Sequence, residues 1–162
     1  MSTTQITANT FGLNDENWRK HANPWSVWSR MAAFAVMLAA IHLRDVLGWW
    51  TLAVLAAGVA FMFANTRMFR PIDVPSRWDE KGIYGERLWT EKAPAAEPHR
   101  RAISAIIGIA GVGLPIIVWG LVSTQIWPTV FGWTLVFLSQ LWQIDRFVAI
   151  YDTAVRADTP RS

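Results

Sequence analysis

The chain has 162 residues, of which 52% are hydrophobic and only 17% charged, with eleven Trp and no Cys. That length suits one domain, and that composition excludes a disordered chain, a collagen-like repeat and a disulfide-stapled scaffold. A formal net charge of +3 is too small to define a nucleic-acid surface, so the placement of charge matters more than its sum.

Residues 1–24 are polar and end in no small-residue cleavage site, so they read as a cytoplasmic segment, not a secretory signal. Four apolar runs follow. Trp25–Leu43 is free of polar side chains between Met31 and Ile41, and Trp49–Ala64 has no charge. Ala102–Val122 is likewise uncharged, and Ile126–Ile144 continues through Asp145-Arg146 into Phe-Val-Ala-Ile-Tyr151. At 1.5 Å per residue, about 20 residues cross a hydrocarbon core of roughly 30 Å. A soluble core built from these runs would need a polar shell that this chain cannot supply. The expected fold is therefore all-α and integral to the membrane, with four spans near 25–43, 49–66, 102–122 and 126–148. A long cytoplasmic connection, 67–101, joins the second span to the third, and 152–162 form a tail.

Fourteen of the fifteen Lys and Arg fall in the N-terminal piece, the 67–101 connection and the C-terminal end; Arg44 is the exception. Cytoplasmic loops concentrate Lys and Arg, so both termini are expected in the cytoplasm of a cell whose inner (plasma) membrane holds the protein. Trp25 and Trp28 would anchor one interface, and Trp49, Trp50, Trp119 and Trp127 the other. Small residues suggest where helices approach: Ala56, Ala60 and Ala64 in the second span, and Ser104, Gly108 and Gly111 in the third. Gly113-Leu-Pro115 should bend the third span in its outer half.

Three His are the obvious metal candidates. His21 and His42 stand 21 residues apart, about 25–30 Å along a helix, so one metal cannot reach both. His99 shares a side with His21 alone, and no helix offers His at matched depth for a haem. We therefore expect no cofactor, metal or haem, and no nucleic-acid partner. A better candidate is a polar pocket on the cytoplasmic side, drawn from His21, Asn23, Arg30, Arg67, Arg70, Glu86, Arg87, His99 and Asp145. Asn23 is suited to cap the first span and Pro24 to open it. Asp145 needs a cation in apolar surroundings, and Arg30 or Arg67 is the expected mate. The competing reading makes these groups interhelical ion pairs and positive-inside anchors. In the connection, Gly82–Trp89 either lies on the membrane with Glu86 and Arg87 facing water, or folds back to cap the pocket.

The stretches His21-Ala-Asn-Pro-Trp-Ser-Val-Trp-Ser-Arg30, Arg67-Met-Phe-Arg-Pro71 and Gly85-Glu-Arg-Leu-Trp89 resemble signatures of a small prokaryotic membrane-protein family classed only as a domain of unknown function. The resemblance runs from Trp18 to Tyr151, supports the topology and carries over no site. His21-x-Asn-Pro24 is also similar to the His-x-Asn-Pro of membrane 2-hydroxy fatty acid dioxygenases, but the further His residues of those enzymes are absent here. No GxSxG, Walker, HExxH or GxGxxG pattern occurs. Two functions are thus open. One is a non-enzymatic membrane protein binding lipid headgroups, a partner subunit or a second copy of itself at its cytoplasmic face. The other is a membrane enzyme acting on a lipid or amphiphile, with His21, Asp145 or His99 as acid/base groups.

Overall fold

The computed structural model describes residues 15–158, and every element among them is helical. In chain order these are α1 (Asp15–His21), α2 (Pro24–His42), the single turn α3 (Arg44–Leu47), α4 (Trp50–Met68) and α5 (Trp78–Thr90). A 3-10 turn (Pro94–His99) then leads into α6 (Arg100–Val122), and α7 (Ile126–Asp158) closes the fold. Three helical stretches are long and apolar enough to cross a membrane: Pro24–His42, Trp50–Met68 and Pro94–Val122. The 33 residues of α7 extend about 50 Å, and its second half carries the charges of Asp145, Arg146, Asp152 and Arg156.

Local chemistry sets the turns. Asn23 caps α2, its Oδ1 accepting from the Trp25 N–H at 3.0 Å, with Pro24 in the first turn. The turn from α3 to α4 uses Gly48 at φ +54°, a conformation that side chains disfavour. Beside it, Arg44 donates to the carbonyls of Ile41 at 3.2 Å and Leu121 at 2.8 Å. Arg44 thus satisfies a carbonyl in the last turn of α6, where a helix dipole favours a cation.

Helices α2 and α4 form one hairpin, and α6 and α7 a second and much more closely packed one. The inner face of α6 reads Ile103, Ile106, Ala110, Gly113, Ile117 and Gly120, alternating steps of three and four that keep one seam toward a partner helix. A Cβ on Gly113 would come within 2.8 Å of the Gly132 carbonyl oxygen, and one on Gly120 within 2.5 Å of the Thr129 nitrogen. The small residues expected at the contacts lie elsewhere. Ser104, Gly108 and Gly111 are exposed, as are Ala56, Ala60 and Ala64, while Gly58 is the residue that meets Met37. Helix α6 runs unbroken through Pro115.

The two buried clusters sit at the end of the bundle that carries most of the basic residues. Trp18, Ala22, Val27, Ile83 and Ile144 form one, with Tyr84 packed against it. Ala96, Ile103, Phe147 and Ile150 form the other, against Leu88 and Trp89. At this basic end, α5 and the 3-10 turn pack on the extension of α7, and α1 packs against α4 and α5. Farther along, the outward faces of α4, α6 and α7 expose Val59, Val112, Leu114 and Leu138, an apolar surface suited to lipid.

Candidate functional site

Helix α5 closes the basic end. Its start is fixed by Glu80, whose carboxylate accepts from the N–H of Ser76 at 2.8 Å and of Arg77 at 3.0 Å. The Tyr84 hydroxyl donates to the Ile72 carbonyl at 2.6 Å, and Lys81 pairs with Asp152 at 3.1 Å. Asp79 ties the connection to α2, accepting from the Trp28 indole at 3.0 Å and pairing with Arg77 at 3.2 Å. Burial pushes the Asp79 carboxyl up, but the Arg77 guanidinium, the Trp28 N–H and the Glu80 N–H together hold it below its ordinary value. Gly82 and Gly85 let α5 lie directly on α7. At Gly85 the Phe147 carbonyl occupies the space a side chain would fill. Capping is therefore the arrangement adopted, and Glu86 faces inward.

Beneath α5 lies an open cavity of about 360 Å³. Met31, Phe34, Met62 and Phe137 give it apolar walls, while His21, Arg30, Glu86 and Gln140 supply polar groups. Arg30 is held by two contacts: its Nε donates to the Ser26 carbonyl at 3.1 Å and its Nη2 to His21 Nε2 at 3.3 Å. A guanidinium has five N–H donors, so three remain for the cavity, and no described carboxylate is within ion-pair distance. His21 is 5% exposed, stacked edge-on to Trp18, and its Nδ1 is buried without a hydrogen-bond partner. Burial, and then the neighbouring Arg30 charge, push its imidazole well below the ordinary value. A neutral ring accepting at Nε2 must carry its proton at Nδ1. Glu86 keeps partial exposure only because it faces the cavity. Burial pushes its carboxyl above the ordinary range, and Arg30 pulls it only part of the way back.

Of the residues singled out in the sequence, His21, Arg30 and Glu86 are brought together. Asn23 is engaged as the α2 cap and donates from Nδ2 to the Arg70 carbonyl at 3.2 Å. Arg67 and Arg70 are exposed, and Arg87 pairs with Asp15 at 2.5 Å and Glu91 at 2.8 Å. His99 ends the 3-10 turn away from the cavity. Asp145 overturns the expectation of a buried partner. It pairs with adjacent Arg146 at 2.7 Å, with half its side chain exposed, because Ile144 and Phe147 take the face of α7 that meets α5 and Asp145 points away from it. Among the described residues, no three His, Asp or Glu side chains gather as a metal site would require.

Two features are absent from the sequence reading. A buried network joins α2 to α4: Ser26 Oγ donates to Asn65 Oδ1 at 2.6 Å, and Asn65 Nδ2 donates to Ser29 Oγ at 2.9 Å. Its signal is two Ser one helical turn apart at the start of one apolar run, opposite an Asn at the end of the next. The second feature is another cavity of about 280 Å³ farther from the basic end, lined by Ala35, Leu38, Ala39, His42 and residues of α7. Trp133 borders both cavities and packs on Phe34 with ring centroids 5.2 Å apart.

Fold and site together define an all-helical protein with, among the described residues, three helices long and apolar enough to cross a membrane and a polar-headed cavity where five helices meet. The chain belongs to DUF6653, described as a family of unknown function, whose family model matches residues 3–162. No curated protein and no solved structure matches it.

Proposed function

We propose that this is a four-span protein of the inner (plasma) membrane, both termini cytoplasmic, that binds the headgroup of a lipid-like amphiphile in the cavity beneath α5. The fourth span is the first half of α7, which pairs antiparallel with α6 over its apolar length. Fourteen basic residues against one support the orientation. The observation that carries the binding reading is the cavity itself, which sets an Arg without a carboxylate partner against apolar walls. An amphiphile matches both halves of that lining, and Arg30 supplies charge-assisted donors to an anionic head. A second reading, a membrane enzyme, is favoured by one observation: a neutral His21 and a raised Glu86 carboxyl line the same cavity, a base and an acid set apart by environment.

Native mass spectrometry of the protein extracted in a mild detergent tests the binding reading. The wild type should retain an anionic amphiphile, and Arg30→Gln should lose it. Retention of nothing, or equal retention by both, would remove the reading. Conversion of the retained molecule over time would favour the enzyme instead.

A further inference from the structure

The two cavities flank one aromatic pair, and their order along α2 is informative. Arg30 marks the polar end and His42 the far end of the second cavity. Twelve residues of helix separate them, about 18 Å, against roughly 15 Å for one leaflet's share of the hydrocarbon core. The outer cavity is walled by Ala35, Leu38 and Ala39, which are small or aliphatic, and offers about 280 Å³. That is room for one chain, not two. At the polar end Arg30 is the single cation among the lining residues, and the one carboxyl there, Glu86, is pushed above its ordinary range by burial. It suits a monoanion with two oxygens on one plane; a phosphate dianion would call for more positive charge.

We infer that the ligand is a single-chain fatty carboxylate, its head on Arg30 and its tail passing the Phe34–Trp133 pair into the outer cavity. This rests on the amphiphile reading above and adds the ligand's class and its path. Phe34 and Trp133 then form the constriction that a tail must displace, so they set the chain length the protein prefers. A short chain ends against the pair, whereas a long one parts it. The tilted contact at 5.2 Å contains no hydrogen bond to break, only ring packing.

The test is photocrosslinking of the purified full-length protein with octanoate and palmitate, each bearing a diazirine at its methyl end, followed by peptide mapping. Octanoate should label Phe34, Met62 and Trp133; palmitate should label Ala39, His42 and Leu43. Hexadecanol carrying the same diazirine, which lacks the anion, should label about tenfold less, the loss of one charge-assisted interaction. Ala39→Phe, which fills the outer cavity, should abolish palmitate labelling there and leave octanoate labelling intact. Arg30→Gln should weaken both probes. If that variant does not fold, the hexadecanol comparison in the wild type still decides the role of charge. Arg30-dependent labelling confined to the inner cavity for both probes would overturn the path through the aromatic pair and leave the amphiphile reading standing. Labelling spread over Val112 and Leu114, indifferent to the carboxylate and to Arg30, would overturn both.

Discussion

Gly85→Ala should be among the most damaging single-methyl changes in this protein, although Ala favours a helix. Helix α5 contains two glycines, each costing about 1 kcal/mol relative to Ala by intrinsic propensity, so on propensity alone the substitution should help. The packing says otherwise. A Cβ at Gly85 would sit 1.8 Å from the Phe147 carbonyl oxygen and 2.5 Å from its carbon. Both are backbone atoms of α7 and cannot swing aside, so α5 must lift by more than about 1 Å. That movement loosens Ile83, Ile144 and Phe147, which are at most 4% exposed. Overpacking costs typically about 1–3 kcal/mol, and the lost contacts add to it, so a net loss of about 2–3 kcal/mol remains after the propensity gain. In thermal melts in detergent this corresponds to a drop on the order of 5–10 °C. Gly82→Ala should cost less, because the nearest atom is the Ile144 Cγ2 methyl rather than backbone. Gly108→Ala, where a Cβ meets nothing within 4 Å, should be neutral or slightly stabilising. A Gly85→Ala protein melting at or above the wild type, or below-wild-type melting shared equally by Gly108→Ala, would refute the close α5–α7 crossing.

Asn65→Ala should lower stability by about 1–3 kcal/mol in chemical or thermal denaturation, because the Ser26 and Ser29 hydroxyls lose their buried partner. Asp145→Ala should change the melting temperature little, since an exposed pair with Arg146 is worth at most about 1 kcal/mol; a large loss would mean a buried role. Reporter fusions after Ser162 and at Ser123 should report opposite compartments, and the same compartment for both would overturn the four-span topology. The His21 imidazole, lowered by burial and then by Arg30, stabilises the fold above about pH 6.5, and that contribution is lost as pH falls through its folded value. Glu86, raised by burial, has the opposite sign: its contribution is present in acid and is lost as pH rises past about 4.5 toward its folded value. Melting temperatures across this range should therefore fall less steeply toward acid in His21→Gln, and Glu86→Gln should melt higher than the wild type at neutral pH.

The long helices were legible because a membrane-length apolar run leaves the backbone few alternatives to a helix. The cap at Asn23 was legible too, being a local hydrogen bond two residues long. Helix faces were not. When both sides of a helix are apolar, composition carries no sign of which side meets protein, so Ala56, Ala60 and Ala64 looked as suitable as Gly113, Gly120 and Gly132. The site was partly legible: His21 and Arg30 stood out as ionisable groups beside the first apolar run, and Glu86 as one in the connecting segment that could fold back over the pocket. Their walls, Met62, Phe137 and Trp133, did not, because such residues are ordinary in lipid-facing helices and only the packing distinguishes them. Asp145 misled for a related reason. Its exposure depends on which face of α7 the α5 helix covers, and no local pattern encodes that choice.

The gap between the two hairpins is itself informative. Within the α6–α7 hairpin, backbones touch through Gly113, Gly120 and Gly132, so this chain is capable of close helix packing. Between the hairpins it leaves two open cavities, and it places an Arg without an ion-pair partner, a buried His nitrogen without a hydrogen bond and a raised carboxyl along one of them. Cavities and unpaired polar groups each lower stability, and larger apolar side chains at Ala35 or Ala39 would relieve part of that loss without altering the helices. A bundle shaped by stability alone has no use for this arrangement. On the binding reading proposed above, that cost is offset when an amphiphile that is apolar along its length and anionic at one end enters, because the same molecule then fills the void and satisfies the Arg.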